Sequence, residues 1–144
     1  MNGKNIFVTG AAGFIGARLS EMLLDRGYNV TGIDNLNDTY DPEMKRYRLS
    51  AIGKRANFRF LYGDITDLPL LETYFAANRT DAIINLAGIP GVRRSVENPW
   101  IFLDSNMKGN VNLLESARKY AVPKFIQAST SNEEIGRASC RERV

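Results

Sequence analysis

The chain has 144 residues, 44% of them hydrophobic and 24% charged, which is the composition of one ordinary globular domain able to bury a real core. No apolar run approaches the ~20 residues of a membrane-spanning helix, and no basic stretch followed by a long apolar one opens the chain, so a cytoplasmic location and no membrane partner are expected. Of the formal net charge of +3, the last ten residues supply three arginines and one glutamate and so leave the remainder at +1, with no basic run interleaved with aromatics to suit a nucleic-acid partner.

Strand and helix signals alternate along the chain. Asn5–Thr9 (NIFVT) is a short β-branched and aromatic run that ends in glycine and reads as a buried strand. Phe14, Ile15, Leu19, Met22 and Leu23 recur at helical spacing, with Gly27 where a helix C-cap is expected. Residues 30–33 form a second strand, and Asp41-Pro42 opens a helix that carries Met44, Tyr47, Arg48 and Leu49. Phe58–Tyr62 is a third strand. Asp67 caps a helix to about residue 78, with Leu70, Leu71, Tyr74 and Phe75 facing the core. Residues 82–87 (AIINLA) are almost continuously apolar, as in a strand covered on both faces. Residues 90–95 read as a loop, a long helical stretch runs from about 99 to 120, and residues 125–128 are a fifth strand.

Such alternation predicts an α/β fold, a Rossmann-type doubly wound parallel sheet with right-handed crossovers and strand order 3-2-1-4-5. A complete domain of this kind carries at least one more strand, so residues 1–134 are expected to be its N-terminal part, with the C-terminal substrate domain absent. Residues 135–144 (IGRASCRERV) lack apolar periodicity and match one reading frame of a common DNA-sequencing adapter, which predicts a non-native tail; the competing reading is an ordinary basic tail. Cys140, the single cysteine, lies in that stretch and the chain has no histidine. Disulfides, zinc sites and thiol or imidazole catalysis are therefore unsupported, and no metal is expected.

The residues with chemistry fall at strand ends. Thr9-Gly10-Ala11-Ala12-Gly13-Phe14-Ile15-Gly16 follows the first strand and opens the first helix. Gly10 permits the tight turn, Gly13 lets backbone approach a diphosphate, and Gly16 allows close helix packing. The helix N-terminus at Phe14, Ile15 and Gly16 then offers free N–H groups to the anion. Asp34, 18 residues after Gly16, can accept hydrogen bonds from an adenosine ribose and would repel the 2′-phosphate of NADP, which favours NAD. Asp34-Asn35 could also simply start a turn. Asp64 and Ile65 could contact adenine, with capping by Asp64 as the competing reading. Leu86, Ala87 and Gly88 stand beside the switch point, where small residues suit either the cofactor or plain packing. Arg93 or Arg94 could pair with an anionic substrate, or be solvated surface charge. Ser129-Thr130-Ser131 follow the fifth strand, where hydroxyls could orient a reacting group or form an ordinary turn.

TGAAGFIG, IDNLNDTYD, GDI, NLAG, GVRRSVENP, SNMKGNVNLLE and KFIQASTS stand in an order and spacing that resemble the extended short-chain dehydrogenase/reductase superfamily. Within it, the chain resembles the NAD-dependent nucleotide-sugar epimerases and dehydratases over residues 1 to about 132. IDNLNDTYD with GVRRSVENP is most similar to the UDP-glucuronate 4-epimerases. The resemblance implies NAD as cofactor, a nucleotide-sugar substrate, a homodimer that uses the long helix from 99, and C4 epimerisation through a transient 4-keto sugar. It implies Thr130 as the hydroxyl that hydrogen-bonds the reacting group and Ser129 beside the cofactor. Asn106, Asn35 and Asn37 join the cofactor-binding set, and Arg93 and Ser95 fall on the substrate side. Family members continue into a Tyr-x-x-x-Lys pair; no tyrosine follows Tyr120 here, so the chain by itself is expected to be inactive. A dehydratase or decarboxylase on the same scaffold, or a non-enzymatic NAD sensor, is the competing expectation.

Overall fold

Strand β1 (Asn5–Thr9) occupies the middle of a five-stranded parallel sheet because it is apolar on both faces. Phe7 points into one layer, with Ile33, Ile65, Leu71, Tyr74, Phe75, Ile83 and Leu113. Ile6 and Val8 point into the other, with Leu24, Val30, Ile52 and Ala82. β1 pairs on one side with β2 (Asn29–Asp34) and on the other with β4 (Ala82–Asn85). β3 (Phe58–Tyr62) lies outside β2 and β5 (Phe125–Gln127) outside β4, giving the expected order 3-2-1-4-5. This computed structural model describes residues 3–39 and 41–129, with the backbone but not the side chain of Val92. Thr130, Ser131, the end of the expected 1–134 unit and the 135–144 tail lie outside the described residues.

Helices α1 (Phe14–Asp25) and α2 (Pro42–Ile52) cover one face of the sheet; α3 (Leu68–Ala77) and the helical stretch near the C-terminus cover the other. The chain directs each boundary locally. Gly27, at φ +80°, closes α1, with its N–H bonded to the Leu24 carbonyl and that of Tyr28 to Leu23. Asp41 caps α2 through the Glu43 N–H, ahead of Pro42, and Asp67 caps α3 through the Leu70 N–H. Phe7, Tyr74 and Phe75 then form one aromatic cluster with centroids 4.7 to 5.2 Å apart. Such pairs add about 0.5–1.5 kcal/mol each beyond area burial.

Two expectations need correction, the loop over 90–95 and the extent of β4, and two helices carry detail that spacing does not announce. Phe14, Ile15 and Met22 of α1 are exposed, and the face buried against the sheet is Gly16, Ala17, Ser20 and Leu24. Small residues there let the helix lie close. The expected loop over 90–95 instead enters a short helix, α4 (Val92–Glu97), after Gly91 at φ +113°. The long helix from 99 is real but not uniform. It begins as α5 (Pro99–Phe102), widens to a π-helical segment (Leu103–Lys108) and resumes as α6 (Gly109–Lys119). Finally, β4 ends at Asn85, because the N–H groups of Leu86 and Ala87 turn to the Thr9 hydroxyl instead of continuing a ladder. No helix among the described residues is long and apolar enough to cross a membrane.

Candidate functional site

Because the strands are parallel, the segments after β1, β2, β3 and β4 all emerge at one edge of the sheet, and hydrogen bonds join them there. The glycine loop after β1 turns at Gly10, with φ +65°. A Cβ at Gly10 would come within 3.1 to 3.2 Å of the backbone of Leu86 and Ala87, so this glycine serves both the turn and the close approach of the β4 end. The loop is fixed from inside: Gly13 N–H donates to Gly10 O (3.0 Å) and Ala11 N–H to Ile33 O (3.2 Å). Ala12 N–H donates to Asp34 Oδ2 (3.1 Å). Among the described residues, the N–H groups of Phe14, Ile15 and Gly16 are left without a hydrogen-bond partner at the uncapped start of α1. Three adjacent donors at the positive end of a helix are an anion cradle.

Asp34 ends β2 almost fully buried, at 7% exposure. Its Oδ1 accepts from Leu36 N–H (2.8 Å), the local turn that an Asp-Asn pair favours, and from Lys45 Nζ (3.4 Å). With Ala12 on Oδ2, three of the roughly four acceptor positions of a carboxylate are taken. One remains, on Oδ2, for a hydroxyl. Asn35 donates to Asp64 Oδ2 (2.6 Å) and accepts from Asn37 N–H, while Asn37 Oδ1 accepts from Lys45 Nζ (2.9 Å). The two asparagines thus build the wall of the site.

Asp64 follows β3 and accepts from both the N–H and the hydroxyl of Thr66, each at 2.8 Å. Burial opposes its ionisation, but the bonds from Thr66 and Asn35, helped by the Lys108 charge, outweigh that effect and hold its carboxyl below the usual range. The turn-capping reading of Asp64 is therefore realised, at a place that also touches Asn35. Ile65 faces inward, 5% exposed and packed in the core, and its carbonyl accepts from Asn112 Nδ2 (3.1 Å).

At the switch point between β1 and β4, the Thr9 hydroxyl donates to Asn85 Oδ1 (2.5 Å) and accepts from the N–H groups of Leu86 (3.1 Å) and Ala87 (2.9 Å). Asn85 Nδ2 continues to Gln127 Oε1 (2.8 Å) and Asn110 Oδ1 (3.3 Å), tying β5 and α6 to the same point. The backbone donors of Leu86 and Ala87 are therefore spent, and what these residues present at the edge is surface and carbonyls. Beyond Gly88, Asn106 clamps the chain: its Oδ1 accepts from Ile89 N–H (2.8 Å) and its Nδ2 donates to Ile89 O (3.1 Å). The π-helical widening over Leu103–Lys108 is where that side chain leaves the helix. Arg93 is exposed on α4 and Ser95 half-buried; Ser129 is exposed just after β5. A concavity of about 500 Å³ lies at the opposite edge of the sheet, lined by Asn78, Arg79, Tyr120 and Pro123 among others. It borders none of these residues, and the candidate site is an open edge.

The profile of the NAD dependent epimerase/dehydratase family matches residues 6–140. The chain belongs to that family.

Among its relatives, UDP-glucuronate 4-epimerase of Thermodesulfobacterium geofontis is 47% identical over 131 residues, 91% of this chain and 41% of the relative. UDP-glucuronate 4-epimerase 4 of Arabidopsis thaliana is 42% identical over 132 residues, 91% of this chain and 30% of the relative. The solved structure of UDP-glucuronic acid 4-epimerase from Bacillus cereus, in complex with UDP-glucuronic acid and NAD, superposes with a TM-score of 0.80 at 33% identity. It covers 88% of this chain and 40% of that one. The chain thus spans less than half the length of these family members. The fold and the dependence on NAD expected from the glycine loop are those of this NAD-dependent epimerase/dehydratase family.

Sequence reasoning missed three residues of the site. Lys45, 5% exposed, reads in the sequence as one more charge on a polar helix. Thr9 stands in the sequence at the end of β1 and the head of the glycine motif, and neither place announces its bonds to the end of β4. Asn85 had a signal that could have exposed it: an amide inside the apolar run AIINLA must find partners if buried, and it is 1% exposed.

Proposed function

We propose that this chain is the cofactor-binding part of an NAD-dependent nucleotide-sugar epimerase that inverts C4 of a UDP-hexuronate. The observation that carries the cofactor half of this reading is the cradle itself. Three N–H groups at Phe14, Ile15 and Gly16, unpartnered among the described residues, face an edge on which Asp34 keeps one acceptor position not taken by a described residue. The 47% and 42% identities to proteins named UDP-glucuronate 4-epimerase support the substrate half.

The residues present fit a dinucleotide. Phe14, Ile15 and Gly16 would hold its diphosphate, and Gly10, Gly13 and Gly16 keep that surface free of side chains. Asp34 would take a ribose hydroxyl, on the wall that Asn35, Asn37, Asp64 and Ile65 support. Leu86, Ala87 and Gly88 would floor the far half, with Asn106 holding their loop and Ser129 beside it. When bound, NAD supplies a reversible hydride acceptor. The chain's own part in the chemistry is then to orient the sugar: Thr130 would hydrogen-bond the reacting hydroxyl, and Arg93 with Ser95 would hold the anionic substrate.

A homodimer is part of the same proposal. Trp100, Leu103, Met107, Val111 and Leu114 leave a 3- or 4-residue-spaced apolar stripe exposed along α5, the π-helical segment and α6. A stripe of that period suits burial against its own copy.

Calorimetric titration with NAD tests the cofactor half, and conversion of UDP-glucuronate to its C4 epimer by the product of the complete gene tests the rest. Micromolar or tighter NAD binding together with epimer formation is expected. No NAD binding, or turnover to a dehydrated or decarboxylated sugar, would overturn the reading.

A further inference from the structure

Lys45 is the only buried cation among the described residues, 5% exposed, and the proposed function assigns it no role. Its position is unfavourable twice over. An ammonium loses its hydration when buried, and near the N-terminal end of α2 the helix dipole opposes a positive charge. What compensates it is Asp34 Oδ1 at 3.4 Å and Asn37 Oδ1 at 2.9 Å. Seen from the carboxylate, the same contacts describe a built anion site. Ala12 N–H donates at 3.1 Å, Leu36 N–H at 2.8 Å, and Lys45 adds a full charge. The glycine loop, the turn after β2 and α2 all supply a donor to one point, and the anion there belongs to the protein itself.

We infer that Lys45 is a cofactor-specificity residue: with the N–H groups of Ala12 and Leu36 it forms an anion site that the Asp34 carboxylate occupies, and that takes the 2′-phosphate of NADP when the carboxylate is removed. The inference rests on the NAD reading above and deepens it. Asp34 then selects NAD by filling the place a 2′-phosphate requires, and Lys45 both holds the carboxylate there and cancels much of its charge. An ammonium has three donors, and two of Lys45's are engaged, so a phosphate in place of the carboxylate would find a cation with capacity to spare.

The test is a four-variant calorimetric cycle with NAD and NADP as titrants, run at pH 8 on the wild type, Asp34→Ser, Lys45→Met and the double variant. Wild type is expected to bind NAD at least tenfold tighter than NADP, and Asp34→Ser to reverse that preference. Adding Lys45→Met to Asp34→Ser should weaken NADP at least tenfold with a change of less than threefold for NAD. Equal NADP affinity of Asp34→Ser with and without Lys45 would overturn the inference. Should Asp34→Ser fail to fold, Lys45→Met alone decides, because an uncompensated Asp34 repels the 2′-phosphate more strongly. The ratio of NADP to NAD dissociation constants then rises at least threefold, and an unchanged ratio refutes the role. Wild type that binds neither dinucleotide would remove the NAD reading itself, whereas wild type that binds NAD with Lys45-independent discrimination would remove this inference alone.

Discussion

Replacing Gly16 with alanine sets two magnitudes against each other. Alanine is the better helix former by about 1 kcal/mol, so propensity alone predicts a more stable α1. The added Cβ, however, would stand 2.8 Å from the Gly10 carbonyl carbon and 3.0 Å from Ala11 Cα, and nearer still to the Gly10 oxygen. Ordinary carbon–carbon contacts lie at about 3.5–4.0 Å, so α1 and the loop must part by at least about 0.7 Å. The obstructing atoms are backbone and cannot rotate away. Gly10 is backed by Leu86 and Ala87, and its carbonyl is held by Gly13 N–H at 3.0 Å. Overpacking costs about 1–3 kcal/mol, and contacts this close to rigid backbone stand at the upper end of that range, so the steric effect wins and the net loss is about 2 kcal/mol. The same displacement would stretch a hydrogen bond of about 2.9 Å from Phe14, Ile15 or Gly16 to beyond about 3.5 Å, which is no longer a bond. Urea denaturation followed by circular dichroism should show the lower midpoint at unchanged slope, and calorimetry at least a tenfold weaker NAD affinity. A Gly16→Ala protein that resists urea as well as wild type would refute the reasoning, because it would mean the loop yields freely.

The carboxyl of Asp64 is held below its ordinary value, so the stability it contributes is fully present above the unfolded value of about 3.9 and is lost as pH falls through the lower folded one. Asp64→Asn should accordingly flatten the acid limb of a urea-midpoint profile between about pH 2 and 5; an acid limb identical to wild type would deny that assignment. Asn106→Ala removes both bonds to Ile89, worth about 1 kcal/mol each at most in this exposed setting, and should speed hydrogen exchange at the Ile89 amide at least fivefold with the core amides unchanged. Exchange at Ile89 that stays at the wild-type rate would show that the clamp holds nothing. Met107→Glu places a charge in the middle of the apolar stripe and should shift the sedimentation of the gene product from dimer to monomer without loss of helix content. A persistent dimer would place the interface elsewhere.

The sequence by itself determined the five strands, helices α1 to α3, their order and the location of the cradle. Period-2 and unbroken apolar runs mark strands, Asp41 and Asp67 announce helix starts, Gly27 announces a stop, and right-handed crossovers together with the glycine motif after the first strand point to the order 3-2-1-4-5. The glycines are legible because a turn at φ +65° and a helix pressed onto backbone tolerate little else. What only tertiary structure decided is which polar groups meet. Thr9 and Asn85 are 76 residues apart, Asn106 reaches back 17 to Ile89, and Lys45 turns inward to Asp34 instead of out to solvent. Periodicity reports the face a residue takes on its own element, not the partner that face will meet. Lys45 on a polar helix and Arg93 two residues after a glycine look alike in the sequence; burial against a carboxylate on another element separates the first from the second. The same limit explains α1, whose large apolar residues advertise a core face while Gly16, Ala17, Ser20 and Leu24 are what the close-packed sheet admits.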